Sequence, residues 1–136
     1  MIICAEEFKR VLDGQEFTYD LKEEDDGTVY FGVPFSEGRV VSVIFNISDE
    51  GKHVAFRTVF ENCPPERIPD MLVICNQLNN EYRWLKFCID KDNDIMLEDD
   101  AIVSPESAGE ECFELVVRTA RIMKEIKPII MRGLYA

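Results

Sequence analysis

Between residues 17 and 60 the chain alternates apolar and polar side chains four times over. The apolar members are Phe17, Tyr19 and Leu21; Val29, Phe31, Val33 and Phe35; Val41, Val43, Phe45 and Ile47; and Val54, Phe56, Thr58 and Phe60. A period of two places each set on one face of a strand. The interruptions are "DDG" at Asp25 to Gly27, "SEGR" and "SDEGK", all turn-forming in composition. Connections this short exclude parallel neighbours, because a parallel crossover takes a dozen or more residues. The first half of the chain is therefore predicted to be a four-stranded antiparallel meander with one apolar face that needs a cover.

Helical spacing supplies the cover. Residues 3–14 carry Phe8, Val11 and Leu12 on one side and end at Gly14, a common helix terminator. "NCPPERIP" opens a second helix, where proline is tolerated in a first turn. Over residues 66–82 its buried stripe is expected to be Ile68, Met71, Leu72, Cys75, Leu78 and Tyr82. Val73 lies nearly opposite that stripe and Ile74 beside it. Two strands follow, residues 84–90 and 94 to about 99, joined by "KDND". "SPESAGEE" then starts a long helix, capped by Ser104 with Pro105 or by Ser107 with Glu110. Its stripe is Cys112, Leu115, Val116, Met123, Ile126 and Ile130, and Pro128 is expected to kink or end it. The order α-β4-α-β2-α predicts an α+β fold: a mostly antiparallel sheet, made of a four-stranded meander plus a two-stranded hairpin, with three helices on one face. A chain of 136 residues suits a single domain, 1–136.

Charge and composition remove several functions. With 27 acidic and 15 basic residues the formal charge is −12, which repels phosphate backbones and anionic lipid surfaces. No nucleic-acid or membrane partner is expected. No apolar run approaches the roughly 20 residues of a membrane span. "MIICAEEFKR" lacks the basic lead of a secretory signal, so a cytoplasmic location is expected. The five cysteines are odd in number and form no C-x-x-C pair, which fits reduced thiols.

No residue set composes a catalytic or metal centre. His53 is the only histidine and begins a strand. Asp90, Asp92 and Asp94 match the first three positions of a calcium loop, but Ile95 and Ala101 stand where Gly and Glu are required. That segment reads as a hairpin turn. The clusters Glu23 to Asp26 and Glu98 to Asp100 fall at turns and strand ends, where solvent is expected to keep them ordinary. There is no nucleophile elbow, P-loop or glycine-rich cradle. Arg118, Arg121, Lys124 and Lys127 on the last helix read as a solvated face, with Glu114 and Glu125 at pairing distance. No metal, cofactor or reaction is expected.

The segment "CNQLNNEYRWLKFCIDKDNDIMLEDD" carries more information. On the helical wheel Asn79 falls on the apolar side, beside Cys75 and Tyr82. A buried amide without partners costs roughly 1–3 kcal/mol, so Asn79 is expected to bond the last carbonyls of its own helix and turn the corner into the strand. Trp84 is expected to pack beside that corner. The segment resembles the signature of the YbjN family in Asn76, Leu78, Asn79, Trp84, Lys86, Phe87, Asp92, Asp94, Leu97 and Glu98. The resemblance implies a fold similar to class I type III secretion chaperones, which are small, acidic and homodimeric. It further implies a non-enzymatic regulator or chaperone-like protein that binds a protein or peptide partner. Val73 and Ile74 are the candidate contacts of a homodimer, since a helix apolar on both sides needs a second cover. Two alternatives remain: a small-ligand binder or enzyme using a cleft between sheet and helices, and a plain oligomerisation domain.

Overall fold

The computed structural model describes residues 1–135. Three helices, α1 (Ile3–Gly14), α2 (Ile68–Glu81) and α3 (Ala108–Tyr135), pack on a six-stranded sheet. The strands are β1 (Asp20–Glu23), β2 (Val29–Pro34), β3 (Val40–Phe45), β4 (His53–Asn62), β5 (Lys86–Ile89) and β6 (Asp94–Ile102). Every neighbouring pair is antiparallel, and the spatial order is β1-β2-β3-β4-β6-β5. The expected α+β fold is the one the chain has. The two-stranded hairpin does not stand apart: β6 docks on β4 and completes one continuous sheet.

Alternation sets the core. Val29, Phe31 and Val33 lie opposite Phe45, Val43 and Val41, and all six are fully buried. Val43 and Phe45 continue onto Phe56 and Val54. α1 sets Phe8 against this surface, 4.9 Å from the Phe31 ring in an edge-on contact. The opposite sheet face carries Tyr30, Arg57, Lys86 and Glu98, half-buried or exposed.

Four expectations need correction. Phe17 and Tyr19 precede β1 and do not extend it. The Phe17 N–H closes the end of α1 on Leu12, and the Tyr19 hydroxyl donates to Asp13 at 2.6 Å, so the helix terminus claims both. Leu72 is half exposed, at 53%, and leaves the buried stripe of α2 to Met71, Cys75 and Leu78. β5 begins at Lys86, not at Trp84, because Trp84 takes the left-handed conformation with φ +77°. α3 runs through Pro128 to Tyr135. Pro128 and Lys124 both lie on the solvated side, where water can satisfy the carbonyl that proline frees, while Ile126, Ile130 and Leu134 hold the other side to the core.

Candidate interaction site at the α2–β5 joint

Asn79 points from the last turns of α2 to β5. Its Nδ2 donates to the Phe87 carbonyl at 2.9 Å and its Oδ1 accepts from the Phe87 N–H at 2.7 Å. The orphan carbonyls of its own helix are not its partners. β5 is an edge strand, and Phe87 is one of the residues whose backbone faces away from β6. The amide carries the donor and acceptor of a peptide group, so Asn79 stands in for the missing neighbouring strand.

Several other signature residues meet here. Leu78, Phe87 and Leu97 are buried, and Phe87 lies directly opposite Leu97. Lys86 lies opposite Glu98 on the open face, with Nζ 3.3 Å from Oε2; Arg57 Nε reaches the other Glu98 oxygen at 3.4 Å. Asn76 stays exposed and accepts the Asn80 amide on its carbonyl at 2.9 Å. Asp92 lies farther off, in the hairpin turn, and Asp94 opens β6 just after it. There Asp90 Oδ1 accepts the N–H groups of both, each at 2.9 Å, and Asn62 donates to Asp94 Oδ1 at 2.9 Å. Asp90, Asp92 and Asp94 each offer a carboxylate oxygen within 4.8 Å of the others, but these bonds already explain their placement as turn chemistry.

Trp84 does not anchor the corner by packing inside it. Its side chain is 63% exposed, with the Arg118 guanidinium 5.7 Å from the ring centroid. Arg118 also donates to Glu114 at 2.8 Å, whereas Glu125 takes the Tyr82 hydroxyl at 2.9 Å. Beside Trp84 a groove of about 390 Å³ runs between β6 and α3, with Ile102 and Leu115 among its walls. Ile102 is 91% exposed, the most exposed large apolar residue described.

Asp99 corrects the expectation of a solvated acidic cluster. It is 92% buried, on the core side of β6 opposite Phe56, and burial pushes its carboxyl up to about 6. Oδ1 accepts the Asp100 N–H at 2.8 Å, while Oδ2 is buried without a partner. Period-two alternation in "LEDDA" carried that signal: Asp99 shares the parity of Ile95 and Leu97.

The candidate dimer contacts divide. Val73 is 58% exposed and joins Leu72 on the outer side of α2, whereas Ile74 is half-buried against Gly133 of α3. His53 is exposed at the start of β4, its Nε2 3.8 Å from Asp100 Oδ2. All five cysteines are free, and burial raises every thiol above its ordinary range, Cys75 to about 11. No helix among the described residues is long and apolar enough to cross a membrane.

Comparison with known proteins gives the fold and a family. The model of the YbjN family, described as "Putative bacterial sensory transduction regulator", matches residues 5–125. A solved structure, "Crystal Structure of the ExsC-ExsE Complex", contains a chain with the same fold: TM-score 0.62, 12% identity, covering 94% of this chain and 96% of that one. No curated protein matches.

Proposed function

The chain belongs to the YbjN family, and from that premise we propose that it is a non-enzymatic, cytoplasmic, homodimeric regulator or chaperone-like module that binds a protein partner. One observation carries the reading: Leu72 and Val73 expose more than half their surface on a helix whose other side is already buried in the core. Leaving two adjacent large aliphatic residues in water is unfavourable, and a two-fold contact along α2 is the simplest cover for a single chain. The fold match to a chain from a two-protein complex fits the same reading. So does the chemistry of the thiols, since a nucleophilic cysteine needs a lowered pKa and these five are raised.

The test is the solution mass. Light scattering at micromolar concentration is expected to give twice the chain mass for the wild type and the monomer mass for Leu72→Glu with Val73→Glu. A monomeric wild type removes the dimer, and a dimer that survives both substitutions moves the contact off α2. Protein binding is tested separately, by capture of a defined partner from native lysate and its reconstitution from purified components.

A further inference from the structure

The two neighbours of β6 differ in length. β4 pairs along the whole strand, from Asp94 to Ile102, whereas β5 pairs only with Ile95 to Glu98. The Val103 N–H bonds to Lys52 and the Asp90 N–H to Asp94, which settles the parity of the ladder. Odd-numbered residues of β6 turn their backbone groups to β4, and even-numbered ones turn them to β5. Asp100 and Ile102 therefore face the β5 side at a point where no described strand lies. Continued backwards in register, β5 would bring Trp84 opposite Asp100. The left-handed backbone at Trp84 prevents this and swings the chain off the edge. A bulky aromatic there costs on the order of 1–2 kcal/mol, a strain that marks a place worth explaining.

The two stretches of edge beside the joint are treated differently. At β5 the Asn79 amide closes Phe87. At the open end of β6, among the described residues, only the Asp100 N–H is taken, by its own neighbour Asp99. The Asp100 carbonyl and both backbone groups of Ile102 border the groove between β6 and α3, with Trp84 and Leu115 as apolar walls. The charged lining is three carboxylates, Asp100, Glu111 and Glu114, against Arg118.

We propose that the open end of β6, beside Trp84, is a docking site for one extended protein segment, which adds to the sheet as a short strand and sets an apolar side chain flanked by basic residues into the groove. An extended backbone is the ligand that satisfies a row of unpaired strand groups, and the acidic lining sets the sign of its flanking charge. The inference rests on the reading of the chain as a protein-binding module and names the surface that does the binding.

Trp84 is the only tryptophan, so its emission reports on the groove directly. The probe is a blocked octapeptide alternating lysine and isoleucine, titrated into the full-length protein. A saturable blue shift of Trp84 emission is expected. N-methylation of alternate backbone amides, in the phase that faces the edge, is expected to weaken binding by at least about tenfold, as is replacing lysine by glutamate. Ile102→Pro removes an edge N–H at an exposed strand end and is expected to do the same, while Lys22→Ala, exposed on β1 at the far edge of the sheet, leaves the affinity unchanged. No shift up to millimolar peptide overturns the proposal. Equal binding of the N-methylated peptide overturns it without any variant, because adsorption through side chains is then sufficient. An emission shift driven by protein concentration alone, lost in Ile102→Pro together with the dimer mass, assigns the edge to a second copy and overturns the foreign segment. A reconstituted partner complex indifferent to Ile102→Pro and Trp84→Ala keeps the protein-binding reading and removes this site.

Discussion

Asn79 and Asp99 are polar residues in opposite situations: Asn79 is exposed, not buried as the helical wheel suggested, yet bonded through both amide atoms, whereas Asp99 is buried with one oxygen unpartnered, and substitutions should separate them. Asn79 satisfies both backbone groups of Phe87, so Asn79→Ala strands two partly buried groups and is expected to cost about 1–3 kcal/mol in urea melts. His53→Ala, at an exposed strand start, should stay within about 0.5 kcal/mol. Equal midpoints for Asn79→Ala and wild type would show that water replaces the amide. Asp99 holds its proton more tightly folded, near 6, than an unfolded carboxyl does. Its contribution therefore falls as pH rises through the window between those two values, and the folded state bears the full cost of a buried carboxylate above it. Asp100 adds to that cost, while Arg118 and Arg57 offset part of it. Asp99→Asn removes the titration. Relative to wild type it should gain about 2 kcal/mol of stability between pH 4.5 and 7.5, and parallel pH profiles would refute the assignment.

At the scale of elements, the sequence was most informative where a pattern is local. Period-two runs with short turns led to the meander, and apolar spacing led to all three helices. What stayed hidden depends on contacts between distant segments. No local pattern says that β6 enters between β4 and β5, or that Asn79 reaches eight residues forward to a strand edge when its own helix offers nearer carbonyls. The signature residues around "NQLNNEYRW" were visible, but the exposure of Trp84 was not, because an aromatic in the left-handed region defeats any expectation from propensity. The approach of α1 to α3 belongs to the same class. A Cβ added at Gly109 would lie 2.8 Å from Val11 Cγ2 and 2.9 Å from the Glu7 carbonyl oxygen. Backbone cannot rotate aside, so Gly109→Ala is expected to destabilise by about 1–3 kcal/mol even though alanine is the better helix former. A midpoint at or above wild type would show that α1 can back away freely.

For the molecule as a whole, β6 joins two regions: the meander on one side and the α2–β5 corner on the other. The corner is local, since Asn79, Phe87 and Leu97 lie within twenty residues of one another. The β4–β6 seam is not. β4 ends at Asn62 and β6 at Ile102, so during synthesis a ten-residue strand waits roughly 2–8 s for its neighbour at ordinary elongation rates. Throughout that wait the nascent chain displays a long unpaired edge with Val54, Phe56 and Phe60 on its apolar side, a template for pairing with other chains. Ribosome-stalled chains tethered so that β4 but not β6 has cleared the exit tunnel should therefore recruit general chaperones or co-aggregate, and chains with a linker long enough to expose Ile102 as well should not. Equal behaviour of the two lengths would place the hazard elsewhere. The fold thus depends, for a few seconds of the protein's own synthesis, on the late arrival of a single strand.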